Sequence, residues 1–256
     1  MGSSFDIDIS ALQKRLNTIR IGHPLKVLPQ TDSTSEEIRR DLTLPEGTVV
    51  ISDLQTHGRG RQGRTWHSES GTGLYLSILL KPHLPPENLH FITLMAGVAT
   101  VSAIQQNGAK QARLKWPNDI LLNGKKLSGI LCEHIPGKAV IAGIGINMNQ
   151  TQFPSDIQDI ATSMKMATGS SINRADLILS LLKNLDCGYE EYLNGNKQSL
   201  LQKWTSNTDM FGKTVTVHQK GVSITGIAMS LDSDGRLILQ TSDGETHILG
   251  SGELLT

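Results

Sequence analysis

The chain has 256 residues, enough for one large domain or a large and a small one with a sizeable core. Lys plus Arg and Asp plus Glu each number 24, so the formal net charge is zero and a broad basic footprint for nucleic acid is excluded. Two cysteines without a C-x-x-C pairing, no basic leader before an apolar core and no apolar run of membrane-spanning length point to a cytoplasmic protein.

The first predicted element is a helix over residues 10–22. Ser10 is its candidate N-cap, Leu12, Leu16 and Ile19 fall at helical spacing, and Gly22 is the stop. Leu25–Leu28 reads as a short strand. Thr31–Glu37 reads as a polar turn opening a helix, with Ser33 and Thr34 as capping hydroxyls that could instead face a ligand. Thr48–Leu54 and Gly73–Leu80 are strand-like, β-branched or apolar runs. The clearest predicted helix is Glu87–Gly108, apolar at Phe91, Leu94, Met95, Val98 and Val101. Arg113–Trp116 is a strand, Asn123-Gly124 a hairpin turn between Ile120–Leu122 and Leu127–Glu133, and Lys138–Asn149 a further strand. Asn173 caps a helix running to about Leu193, with Leu177, Ile178, Leu181, Leu182 and Leu185 on one face.

After Trp204 the texture changes. Short runs at Thr214–Val217, Val222–Ile224, Ile227–Met229, Leu237–Leu239 and His247–Leu249 alternate with two Asp-Gly turns, which indicates a small antiparallel barrel. The predicted division is 1–206 and 207–256. Cys132 and Cys187 read as buried core thiols, and His57 and His67 as loop histidines.

The densest chemical signal is Gly58-Arg59-Gly60-Arg61-Gln62-Gly63-Arg64-Thr65-Trp66. Glycine lets backbone approach a ligand closely, arginine offers a fork of donors to carboxylate or phosphate, and the tryptophan offers a flat surface. Both flanks are strand-like, so this is a loop held by the scaffold, suited to wrapping a small anion. Three other segments set polar or glycine residues in strand ends: Lys115-Trp116-Pro117-Asn118-Asp119, Lys126-Leu127-Ser128-Gly129-Ile130-Leu131 and Gly143-Ile144-Gly145-Ile146-Asn147. Lys115 either meets an anion or snorkels to water, whereas Lys126, beside the hairpin and Gly129, is read as facing a ligand. Gly143 and Gly145 face one side of their strand, which suits either a flat ligand or a closely packed helix. No G-x-S-x-G, Walker or H-E-x-x-H motif occurs, so positioning and charge neutralisation are favoured over covalent catalysis.

These four motifs, in this order and spacing, resemble those of the biotin protein ligases (biotin–acetyl-CoA-carboxylase ligases) over roughly residues 27–256. The resemblance implies an α/β (α+β) fold, a mixed sheet with helices similar to class II aminoacyl-tRNA synthetase catalytic domains, plus a C-terminal SH3-like barrel. It implies a two-step reaction: biotin and ATP, with Mg²⁺, give biotinyl-5′-AMP, and the biotinyl group then passes to a lysine of a biotin carboxyl carrier domain. Arg61 and Lys126 would be catalytic, holding the biotin carboxylate and the phosphate. Ser33, Thr34, Ser35, Gln55, Gly58, Arg59, Gly60, Gly129, Gly143 and Gly145 would complete the biotin site; Ser35 stands where the family usually has Asn. Arg59, Arg64, Trp66, Lys115, Asn118, Asp119, Lys126 and Asn147 would bind ATP, with Asp119 the candidate ligand for Mg²⁺. The arginine loop is expected to be mobile without ligand and to close over the reactive anhydride. Fewer than thirty residues precede the matching region, so the expectation is a monofunctional ligase without a DNA-binding role, with room for a homodimer. A lipoate or octanoate ligase of the same fold and a non-enzymatic biotin sensor are the alternatives.

Overall fold

A computed structural model describes residues 7–82, 89–219 and 221–255. Seven strands form a sheet in the order β1-β2-β3-β7-β6-β5-β4, with β1 and β2 parallel and every other pair antiparallel. They are β1 Leu25–Thr31, β2 Val49–Gln55, β3 Gly73–Leu80, β4 Arg113–Lys115, β5 Asp119–Leu122, β6 Lys125–Ile135 and β7 Ala139–Asn147. A second sheet, β11-β10-β9-β8-β12, uses β8 Thr214–Gln219, β9 Val222–Leu231, β10 Leu237–Gln240, β11 Thr246–Leu249 and β12 Glu253–Leu255. The helices are α1 Ile9–Arg15, α2 Thr34–Arg39, α3 Leu89–Gln106, α4 Met164–Thr168, α5 Arg174–Leu193 and α6 Lys197–Ser206. Among the described residues no helix is long and apolar enough to cross a membrane.

Register decides which side of the large sheet carries chemistry. Leu76 pairs with Ile144 and Ile78 with Ala142, and these side chains share a face with Ile130 and Leu80. That face packs on α3, with α5 on the far side of α3, as the main core. On the opposite face, Ser77 pairs with Gly143, Tyr75 with Gly145 and Gly129 with Gly145. Only a small apolar cluster around Ile38 and α2 covers that side. The sheet therefore has one greasy face and one face left short of side chains.

Several sequence expectations shift. Asp8, not Ser10, caps α1, its carboxylate accepting from the Ala11 N–H, and the helix stops at Arg15, leaving Ile19 79% exposed. Ser33 occupies the N-cap position of α2 without a side-chain capping bond, and Glu36 and Glu37 of the first turn form ion pairs with Arg39, Arg40, Lys26 and Arg59. Helix α3 is apolar on every side, since it lies between the sheet and α5 with α6; Glu87, at its expected start, lies outside the described residues. Val222–Ile224 and Ile227–Met229 merge into one strand, β9, because β8 pairs with it in unbroken register from Val222 to Ile227. Cys132 is only partly buried and Cys187 is exposed, because Cys187 falls on the outward side of α5.

Candidate active site

The Gly/Arg segment is a small closed hairpin. Arg59 and Thr65 form an antiparallel bridge, Trp66 N–H donates to the Gly58 carbonyl at 2.9 Å and Gly60 N–H to the Arg64 carbonyl at 2.7 Å. Its tip, Arg61–Gly63, is a 3-10 turn in which Gln62 (φ 56°) and Gly63 (φ 74°) take the left-handed conformation. Gly58 is needed because a Cβ there would lie 2.5 Å from the Trp66 carbonyl oxygen.

Each arginine of this hairpin has its own partner. Arg59 pairs with Glu36 of α2 and, at 3.1 Å, with Glu133 of β6. Arg61 donates to Asn118 Oδ1 at 2.7 Å and to the Gly252 carbonyl at 3.1 Å. Arg64 donates to both oxygens of Glu253 on β12, at 2.6 and 2.5 Å. Groups on α2, β6, the β4–β5 turn and β12 thus offset the mutual repulsion of the three arginines. The Arg64 guanidinium, helped by Lys115 and Arg61, holds the Glu253 carboxyl below its ordinary range against the opposing effect of burial. Burial lowers the Arg61 pKa, although every pH of interest leaves it charged.

This hairpin roofs a cavity of about 540 Å³ on the sparse face of the sheet. Every predicted site residue borders it except Gly58, which lies behind the wall with its role spent on the Trp66 backbone. The cavity has two ends of different chemistry. At one end Ser33, Thr34 and Ser35 (3, 3 and 5% exposed) meet Gln55 and Ser77. Gln55 Oε1 accepts from Thr34 N–H at 2.8 Å and Thr34 Oγ1 at 3.0 Å. This end is neutral and almost dry.

The other end is cationic. Lys126 Nζ lies 2.8 Å from Asp119 Oδ1 and 5.9 Å from the centre of the Trp66 ring. The Asn123-Gly124 turn fixes the Lys126 backbone, both residues taking positive φ (53° and 78°) as the hairpin demands. Lys126 N–H donates to the Ile160 carbonyl at 2.7 Å, and Thr162 N–H to the Lys126 carbonyl at 2.9 Å, so the backbone is held from both sides. Burial lowers the Lys115 pKa, with Lys126 adding to the effect and Asp119 opposing it. Asn118 links the parts: its Nδ2 donates to the Ile130 carbonyl at 3.0 Å while its Oδ1 accepts from Arg61.

Between the two ends lies Trp66. A Cβ on Gly145 would sit 2.4 Å from the indole and one on Gly129 2.9 Å from it, so the bare strands of β6 and β7 receive this ring. The flat group that the glycines accommodate is, in this structure, a side chain of the protein itself. Gly143 instead faces the neutral end, where a Cβ would lie 3.0 Å from Ser35 Oγ. Asn147 borders the cavity with its Nδ2 holding the Thr162 carbonyl at 3.0 Å, which ties down the segment before α4.

Comparison with known proteins places this geometry. Residues 25–149 match the Biotin/lipoate A/B protein ligase family and residues 210–254 the Biotin protein ligase C terminal domain. Over 224 residues the chain is 38% identical to the bifunctional ligase/repressor BirA of Bacillus subtilis, covering 85% of this chain and 69% of that protein. This chain belongs to the biotin protein ligase family. It is also 30% identical over 239 residues to the biotin–[acetyl-CoA-carboxylase] ligase of Mycobacterium tuberculosis, covering 90% of this chain and 88% of that one. In three dimensions it superposes on the biotin protein ligase from Aquifex aeolicus in complex with biotin and ATP with a TM-score of 0.82 at 33% identity, covering 90% and 97% of the two chains.

Three features of this cavity escaped the motifs. Ser77 sits inside an apolar strand, Gly73–Leu80, and is fully buried in the cavity wall; one polar residue in a run of hydrophobic ones was the available signal. Glu253 comes from β12, a three-residue strand too short to show a period. The segment Phe153–Ala161, also on the cavity rim, carries no motif and lies outside any predicted strand or helix.

Proposed function

We propose that the protein activates biotin with ATP to biotinyl-5′-AMP and transfers the biotinyl group to a lysine of a biotin carboxyl carrier domain. One observation carries this reading: a single cavity joins a neutral hydrogen-bonding end to a cationic end across a tryptophan. A ligand that is a neutral ring at one end and a carboxylate at the other, next to a nucleotide, matches that polarity. Residues 1–206 carry the chemistry in this reading, and residues 207–256 supply Glu253.

In the first step a biotin carboxylate oxygen attacks the α-phosphorus, the bond to the bridging oxygen breaks and pyrophosphate leaves. Two anions have to meet, and Lys126 with Arg61 neutralises the charge that grows at the phosphorus. Lys115 and Arg64 lie at the same end, placed for the outer phosphates. Asp119 is a single carboxylate engaged by Lys126, and no group of three His, Cys, Asp or Glu side chains converges among the described residues. Such a donor set does not cage a metal, so Mg²⁺ enters as part of the MgATP substrate. In the second step the carrier's ε-amine attacks the anhydride carbonyl, the acyl–oxygen bond breaks, AMP leaves and the amine loses a proton to solvent. The Arg59–Trp66 hairpin, folded over the cavity, shields the anhydride from water.

The test is transfer of labelled biotin or labelled lipoate, side by side with ATP, to a biotin carboxyl carrier domain. Biotin-specific labelling of the carrier is expected. Equal or preferred labelling by lipoate would overturn the biotin assignment.

A further inference from the structure

The hydrogen-bond directions at the neutral end are fixed by one backbone group. Thr34 N–H is an obligatory donor and lies 2.8 Å from Gln55 Oε1, so the amide must present its oxygen there. That oxygen only accepts, so the Thr34 hydroxyl, at 3.0 Å, must give it its single hydrogen. The Thr34 oxygen is then left as an acceptor, and Ser77 Oγ, 2.7 Å away, must be the donor. With the Ser77 hydrogen spent, the remaining contact of 2.9 Å requires Ser35 to donate to Ser77. The chain therefore runs one way: Ser35 to Ser77 to Thr34 to Gln55.

We propose that Ser77 is a specificity-determining residue, which polarises this hydroxyl chain so that Ser35 shows only lone pairs to the ligand. The missing side chain of Gly143 leaves those lone pairs bare: its Cβ position lies 3.0 Å from Ser35 Oγ and 3.5 Å from Ser77 Oγ. Gln55 Nε2, which donates weakly to Ser68 Oγ at 3.3 Å, is the nearby amide donor. Acceptors beside a donor select a group with ring N–H donors flanking a carbonyl, a cyclic urea. Rings without N–H, such as a dithiolane, have nothing to offer the acceptors. Ser77 touches no reacting atom and acts through Ser35 and Thr34. The inference rests on the biotin reading above and extends it to a residue outside the sequence motifs.

Replacing Ser77 by Ala frees the Ser35 hydrogen to turn toward the ligand, where it opposes the ligand's own N–H. Biotin affinity by calorimetry and initial rates are measured for wild type, Ser77→Ala and Ser35→Ala, with biotin and with an analogue methylated on one ring nitrogen. Thermal melting monitors folding in each variant. Wild type is expected to prefer biotin over the analogue by roughly tenfold or more, the scale of one lost buried hydrogen bond. In Ser77→Ala that preference falls to about threefold or less, with biotin KM raised and ATP KM within about twofold of wild type. Ser35→Ala, which removes the acceptor itself, loses the preference in the same way and carries the test if Ser77→Ala fails to fold. A wild type that does not bind biotin overturns the functional reading together with this proposal. A wild type that binds, with preference intact in folded Ser77→Ala or Ser35→Ala, overturns this proposal alone.

Discussion

The two ends of the cavity use opposite physics. At the neutral end Ser77 is fully buried, Thr34 and Ser35 nearly so, and their hydroxyls are satisfied by one another. At the charged end Lys126 keeps 39% and Arg64 63% of its side chain exposed, and each is held by a carboxylate, Asp119 or Glu253. A dry hydrogen-bond array discriminates by geometry, because a mismatched ligand strands a buried polar group. A half-wet cation cluster discriminates little, but it lowers the barrier wherever negative charge accumulates. Under the proposed function recognition and rate belong to different ends, and variants at the two ends are expected to fail in different parameters.

The largest expected effect is at the charged end. Lys126→Met keeps the stem and removes the ammonium, which costs about 2–4 kcal/mol of transition-state stabilisation, roughly a 30- to 1,000-fold drop in adenylation rate. Biotin affinity falls much less than the rate, since the ring keeps its contacts at the neutral end, and melting temperature changes little. Pyrophosphate release in single turnovers measures the first and calorimetry the second. A variant that loses biotin affinity and keeps its rate would erase the distinction between the ends.

Next in size is Gly145→Val, at the boundary. Its Cβ would enter the Trp66 ring at 2.4 Å, so the indole must leave its seat between the ends. Overpacking of this kind costs about 1–3 kcal/mol, and both biotin and ATP KM should rise by roughly tenfold together. A rise confined to one substrate would assign Trp66 to one end only.

A smaller effect comes from pH. Burial lowers the Lys115 pKa from the ordinary 10.5, so the folded protein gives up this proton earlier than the unfolded chain. Between the lowered value and 10.5 the unfolded state binds more protons, so this group's contribution to stability rises with pH while the charge at the site is lost. ATP KM should therefore climb on the alkaline side below pH 10.5, with biotin affinity flat over the same range. Lys115→Arg should remove the climb. A biotin affinity that follows the same curve would join the two ends electrostatically.

Smallest is Glu253→Gln. The Arg64–Glu253 pair is bidentate but half in water, worth about 0.2–1 kcal/mol, so ATP KM should shift by no more than roughly fivefold. High salt should reproduce the shift in wild type and add nothing in the variant. An unchanged KM would leave β12 as a bystander.

The legibility of the two ends also differs. The charged end was visible in the sequence because glycine, arginine and lysine in strand-flanking runs have few structural uses, and Arg61, Arg64, Trp66, Lys115, Asn118, Asp119 and Lys126 all border the cavity. Strands such as Gly73–Leu80 and the α5 helix from Asn173 to Leu193 were equally plain from periodicity and capping. Half of the neutral end was hidden. Ser33 and Thr34 read as capping residues or ligand contacts with equal ease, and Ser77 reads as one polar residue in an apolar strand until register sets it opposite Gly143. Glu253 was invisible because its partner, Arg64, lies 189 residues away in sequence. Gly143 and Gly145 were correctly placed on one face, but what fills that face at Gly145 is the protein's own tryptophan.

The central claim, that one cavity couples recognition of biotin to activation of its carboxylate by ATP, is tested most directly by exchange of labelled pyrophosphate into ATP with no carrier present. The account predicts exchange that requires biotin, is not supported by lipoate, and falls by orders of magnitude in Lys126→Met. Exchange that proceeds without biotin, or equally well with lipoate, would contradict it.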